Sequence, residues 1–155
     1  MIPVRKYKAL WDYVGGQIPV IERVIVVDDE TELASKIKDI ADKCVFLVAV
    51  IPSSDLSAFD EDNHGDIDTC VIYLLQKVDR RDEDDDDIMD ERELTQNAMK
   101  AIRTLMLDLE ERCDNTDPVK IMQQMIRGKQ HVDRERNYLG CNGYSLSFGI
   151  KTNGF

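Results

Sequence analysis

Apolar residues recur along the chain at two spacings, and the switches between them divide it into elements. Val4, Tyr7, Leu10, Trp11 and Val14 fall at helical spacing after Pro3, and Gly15-Gly16 ends the pattern. This predicts a short amphipathic helix whose stripe either covers the domain's own core or forms an arm, residues 1–16, that docks on a neighbouring subunit. The β-branched run Arg23 to Val27 predicts a strand. Asp28-Asp29-Glu30-Thr31-Glu32 then supplies capping and acidic residues for a helix to about Asp42, with Leu33, Ile37, Ile40 and Ala41 on one face. Cys44 to Ile51 is apolar without interruption and short, which predicts a buried strand that Pro52-Ser53-Ser54 ends.

A polar loop from about Asp55 to Asp66 leads into Ile67 to Val78, apolar on both faces and therefore expected as a central strand. Asp79 to Glu93 is almost all charge and is expected as a flexible acidic connection. Leu94, Ala98, Ala101, Ile102, Leu105 and Leu109 follow the period of a long amphipathic helix, taken to run to Cys113. After the breaker Asp114-Asn115-Thr116-Asp117-Pro118, Val119 to Ile126 is expected as a strand, Gly128 as a break, and Gln130 to Asn137 as extended. Asn142-Gly143 is a turn signal, and Tyr144, Leu146, Phe148 and Ile150 then alternate with Ser145, Ser147 and Gly149 in a strand wet on one face. The order predicts a single α+β domain over 1–155, with an antiparallel or mixed sheet of about five strands. A long helix and one or two shorter ones pack on one face.

Composition narrows the function classes. A chain of 155 residues, 43% hydrophobic and 33% charged, suits one domain with one core. The net charge of −11 opposes binding of nucleic acid by the surface as a whole. No stretch of about 18 apolar residues predicts a membrane span, and Arg5, Lys6, Lys8 and Asp12 interrupt what a signal peptide would need as its apolar region. The expected location is cytoplasmic in a bacterial host, or in a virion, with neither membrane nor nucleic acid as partner. Cys44, Cys70, Cys113 and Cys141 form no CxxC pair and are expected as reduced thiols.

Few residue patterns carry chemistry. Asp60, Asp62, Gly65 and Asp68 match positions 1, 3, 6 and 9 of a calcium loop, but His64 stands at position 5 and Val71 where a bidentate Glu belongs. A solvated loop is the simpler reading. No phosphate-binding glycine motif is complete, and His64 and His131 are too isolated for a metal site. Cys141 with His131 is the one nucleophile and base pair to weigh, and Cys141 beside Asn142-Gly143 reads more simply as a turn residue. No catalytic residue and no cofactor are expected.

Charge points instead to contacts. Residues 55–93 hold sixteen acidic against four basic side chains, a balance of −12, whereas 118–155 hold two acidic against six basic, a balance of +4. Placed on opposite sides of the fold, such regions suit head-to-tail association that closes into a ring. The candidate interface residues are Trp11, the carboxylates Asp84, Asp85, Asp86 and Asp87, and the cations Arg127, Lys129, Arg134 and Arg136.

The long helix Leu94 to Cys113, the segment Ile121 to Arg127 and the ending from Asn137 through Gly140-Cys141-Asn142-Gly143-Tyr144-Ser145-Leu146-Ser147-Phe148 resemble phage and prophage tail-terminator and tail-completion proteins in pattern and order. The resemblance covers about the last two-thirds of the chain and transfers no individual residue. It implies an α+β protein that assembles with itself into a ring, often a hexamer, at the end of a tail tube, or a related head-to-tail connector component. The alternative expectation is a small acidic binding or immunity-type inhibitor that masks a basic partner with its carboxylate run. An enzyme of unfamiliar chemistry ranks last.

Overall fold

The computed structural model describes residues 1–58, 64–78 and 84–152, and side chains within these except for 54–58 and 64–66. Helix α1 (Val4–Gly16) precedes strand β1 (Arg23–Val27), helix α2 (Glu30–Ile37), and the strands β2 (Val45–Ala58) and β3 (His64–Lys77). Helices α3 (Asp85–Glu111) and α4 (Asp117–Met122) follow, then a single 3-10 turn at Arg127–Lys129 and the strands β4 (His131–Tyr138) and β5 (Cys141–Lys151). The five strands form one mixed sheet in the order β1-β2-β3-β5-β4. Only β1 and β2 are parallel, joined through α2; the remaining pairs are antiparallel.

The period-2 and period-3.6 patterns explain the two layers. Val45, Leu47 and Ala49 of β2, Cys70, Ile72 and Leu74 of β3, and Leu146, Phe148 and Ile150 of β5 point to one face, where α1, α3 and α4 bury them. On that face Trp11 meets Tyr7 and Phe148 edge to face, each with ring centroids 6.0 Å apart. Phe46, Val48 and Leu75 point to the other face, where Leu33 and Ile37 of α2 and Ile40 just after it cover one side of the sheet. Tyr73 and Tyr138 stack on that second face, 5.0 Å apart and nearly parallel. Because β2 is covered on both sides, its run Val45–Ala49 is buried throughout, as its unbroken apolar sequence requires. The N-terminal helix is no detached arm: Tyr7, Leu10, Trp11 and Val14 are fully buried against the sheet of their own chain. Gly15 permits the close approach, since a Cβ there would stand 2.3 Å from Val24 Cγ2.

Pro52-Ser53-Ser54 does not end β2, and Asp55 to Asp66 is not simply a loop: past a register shift between Val50 and Ser53 the β2–β3 pairing runs on to Ala58↔His64. Helix α2 stops at Ile37 rather than near Asp42. Three further local expectations are corrected. Val119 to Ile126 is not a strand: Asp117–Met122 is helical with Pro118 in its first turn, and Val119, Ile121 and Met122 are buried. A short apolar run does not distinguish the two states, and Pro118 favours the helix. The β4–β5 turn is not Asn142-Gly143 but Leu139-Gly140, both at positive φ (50° and 78°), because Tyr138 pairs with Cys141. Gly143 lies inside β5 for another reason: a Cβ there would stand 1.9 Å from the Leu74 carbonyl oxygen of the neighbouring strand.

The third correction concerns the acidic connection. Residues 79–83 lie outside the described residues, but from Asp85 onward the charged run is helix rather than flexible chain. Asp84 accepts the Asp87 backbone N–H at 2.9 Å, and the Asp87 carboxylate accepts the Asp84 N–H at 3.3 Å. This reciprocal cap satisfies two otherwise unpaired donors, and Asp85, Asp86 and Asp87 sit where the helix dipole favours negative charge. The same chemistry starts α2 as the sequence predicts: Asp29 accepts from the Glu32 N–H at 2.8 Å, and Glu32 accepts from the Asp28 N–H at 2.8 Å and pairs with Lys36. Those donors hold the Glu32 carboxyl below its usual range.

Candidate functional site

The largest consequence of the early start of α3 is a recess. At about 1.5 Å per residue, its 27 residues span about 40 Å, and every buried residue on it (Thr95, Ala98, Met99, Ile102, Met106 and Leu109) lies in the C-terminal part. The first ten residues project past that packed segment and stand over the end of the β4–β5 hairpin. Between them lies a cavity of about 300 Å³, with Gln76 and Val78 at the end of β3 as its floor and Ile88, Glu91, Arg92 and Thr95 as its helical wall. Arg134, Glu135, Arg136 and Asn137 of β4 and Asn142, Gly143 and Tyr144 of β5 complete it. A more open hollow of about 330 Å³ continues over Met89, Arg92, Glu93, Gln96, Arg134 and Tyr144.

A β-bulge shapes the strand wall. Pairing steps from Glu135↔Gly143 to Tyr138↔Cys141, so Arg136 and Asn137 together oppose Asn142. The Asn142 Oδ1 atom accepts the Asn137 N–H at 2.8 Å, and Asn137 takes a positive φ of 56°. Opposite, the Thr95 hydroxyl donates to the carbonyls of Glu91 and Arg92 at 3.2 and 3.1 Å. Glu135 is held by the Ser145 hydroxyl at 2.8 Å. Arg134 and Arg136 make no ion pair or side-chain hydrogen bond with a described residue, and the Arg92 guanidinium meets the Met89 sulfur at 3.8 Å.

The candidate interface residues scatter. Trp11 is 0% exposed and lies in the core, which removes it from any surface. Asp84 and Asp87 are engaged in the helix cap, whereas Asp85 and Asp86 are exposed beside them. Arg127 is bound to Glu110 and Glu111 at 2.7 and 3.4 Å, which raises the pKa of its guanidinium, and Lys129 follows it in the 3-10 turn. Arg134 and Arg136 are exposed and line the recess. Arg127 thus sits at the other end of α3, whereas Arg134 and Arg136 of β4 are brought to the same end of the sheet as the acidic start of that helix. Arg92 and Tyr144 join them, and no sequence motif marks either.

Other candidates separate or lose their chemistry. His131 pairs across from Ser147 and Cys141 from Tyr138, at opposite ends of the hairpin and about 20 Å apart along it, so they form no dyad. Burial pushes the Cys141 thiol up to about 11 despite Lys77, the Cys44 thiol up to about 11 and the Cys70 thiol up to about 12, so all three are protonated near neutral pH. In the calcium-like loop, Asp60 and Asp62 lie outside the described residues. Asp68 is fully buried and accepts the Ile2 backbone N–H at 2.7 Å. Among the described residues no group of three or more His, Cys, Asp or Glu could hold a metal ion, and no helix is long and apolar enough to cross a membrane. Comparison with protein-family models, with curated proteins and with solved structures finds no match to this chain.

Proposed function

We propose that this protein is a structural assembly component that joins copies of itself into a ring, of the kind found as tail terminators, tail-completion or head-to-tail connector proteins of phages and prophages. The observation that carries the reading is the β2–β3 hairpin. Its pairing continues through Leu56↔Asp66, Ser57↔Gly65 and Ala58↔His64, beyond the last β3–β5 pair at Ile67↔Lys151 and beyond β1, which ends its pairing at Val50. Among the described residues no third strand joins this extension. A two-stranded ribbon is marginal in water by itself, and a neighbouring subunit that pairs or packs with it supplies what is missing. Repeated head to tail, such a contact closes into a ring.

The test is mass in solution, by light scattering from low to high salt, with negative-stain images of the same samples. The expected result is a closed oligomer, hexameric if the tail-terminator likeness holds. Replacing residues 57–65 with a two-residue turn should return a folded monomer. A wild-type monomer under every condition defeats the reading.

A second reading, an acidic inhibitor that masks a basic partner, draws support from the projecting start of α3, where Asp85 and Asp86 are exposed and outside the cap hydrogen bonds. Asp85→Asn with Asp86→Asn should abolish capture of such a partner and leave a ring intact.

A further inference from the structure

We infer that the recess beneath the start of α3 is a binding site for a small, polar, oxyanion-bearing molecule, whose phosphate or carboxylate group is held by Arg134 and Arg136 with help from Arg92. Lack of an ion pair does not by itself single out an arginine here: although the chain carries 31 acidic against 20 basic residues, Arg5, Arg23 and Arg103 also make no ion pair with a described residue. Arg127 and Arg112 do pair, with Glu110 and Asp108 respectively. What sets Arg134 and Arg136 apart is that, unpaired with any described residue, they stand two apart on one strand and line one cavity with a third arginine, Arg92. The lining also carries Glu91 and Glu135, so its three arginines exceed its carboxylates by one, and packing does not require that excess because Arg134 and Arg136 are exposed.

The geometry fits an oxyanion. A guanidinium presents a planar fork of donors that matches phosphate and carboxylate oxygens two at a time. The bulge at Arg136-Asn137 is a device that re-aims side chains, and here the Asn142 side chain fixes it through the Asn137 N–H. At about 300 Å³ the cavity is at the small end of ligand sites. Its lining also includes Tyr144 and Glu135, and the Glu135 carboxylate, which accepts from the Ser145 hydroxyl on one oxygen, has a second oxygen to accept from hydroxyl or amino groups of the same molecule. The net charge of −11 works against any anion, so affinity has to come from these short contacts, and binding in the millimolar range is expected.

The experiment uses the full chain and two probes, inorganic phosphate and citrate, titrated against a potassium chloride control at matched ionic strength. Thermal shift and backbone amide chemical shifts of residues lining the recess are the readouts. At least one probe should saturate, raise the melting temperature above the chloride control and move the amides of Asn137 and Tyr144. Arg134→Gln with Arg136→Gln, both at exposed positions, should keep the native amide spectrum elsewhere and weaken binding at least about tenfold. Saturation by phosphate alone identifies a phosphate-bearing ligand, and by citrate alone a polycarboxylate; either supports the site. A wild type indistinguishable from the chloride control overturns the inference, as does a double variant that binds as wild type does. Neither outcome depends on whether the protein forms rings.

Discussion

The two halves of α3 share one helix axis and little else. From Thr95 to Leu109 the helix buries six side chains against the sheet and α4, and its sequence there is that of a core element. From Asp85 to Leu94 it buries none; Met89 and Leu94 are 57% and 40% exposed, and its wall faces a charged recess. The first half persists because its cap and its acidic first turn satisfy the helix terminus, and because the second half, already packed, spares it the cost of nucleation. Packing therefore fixes the domain, while capping extends one helix beyond it to build a site. Mutations should divide the same way.

The largest effect belongs to the packed half. Ile102→Ala leaves a cavity at a fully buried position and should cost about 2–5 kcal/mol in urea denaturation. A cost below 1 kcal/mol would mean that the second half is no more anchored than the first, and the contrast would fail.

Alkaline pH should loosen the same layer. Burial raises the Cys70 thiol from 9.0 to about 12, with Asp68 adding to it, and raises the neighbouring Tyr7 phenol well above its usual value. Both groups are neutral when folded and ionise more easily once unfolded. Their contribution is whole below pH 9 and drains away as pH rises toward 12. The melting temperature should fall by several degrees between pH 8 and pH 10.5, and Cys70→Ala should lessen that fall, the raised Cys44 and Cys141 thiols carrying the remainder. An equal slope in wild type and variant would place the alkaline sensitivity elsewhere.

Asp84→Ala removes the cap and should cost about 1 kcal/mol. The loss belongs to the projecting half alone: hydrogen exchange should quicken from Asp87 to Glu93 and stay slow from Ile102 to Leu109. Uniform quickening would show that the two halves unfold together.

What the sequence made legible follows from how local each cause is. The strands β1 and β5 and the apolar stretches of β2 and β3 were readable because each carries its own apolar signature, continuous where two layers cover it and alternating where one does. The extension of β2 to Ala58 and of β3 back to His64 was not, because those residues are mostly polar and read as loop. The cap of α2 was readable because Asp29 and Glu32 act within one turn. The cap of α3 uses the same chemistry, but six consecutive carboxylates hide it in a run whose repulsion argues for extended chain. Gly143 looked like a turn because its actual cause, contact with Leu74 on another strand, has no local trace. The recess was illegible for that same reason. Arg92 and Arg134 lie 42 positions apart, and only the passage of α3 over the β4–β5 hairpin brings them to one cavity.

The smallest effect is the most discriminating. The apolar pattern places Leu94 on the same stripe as Ala98, Ile102 and Leu109, yet the folded chain turns the stripe so that Thr95 and Met99 are buried while Leu94 and Ala101 are exposed. Leu94→Ala should therefore change stability by no more than about 0.5 kcal/mol, since it removes little buried surface and Ala favours the helix. Leu94→Glu separates two explanations for that tolerance. If the projecting half is bare in solution, the charge should leave both stability and mass unchanged. If a second copy covers Leu94 in the proposed ring, the buried charge should lower the mass measured by light scattering while the monomer stays folded. The first result confines subunit contact to the hairpin end of the sheet; the second places the start of α3 within it.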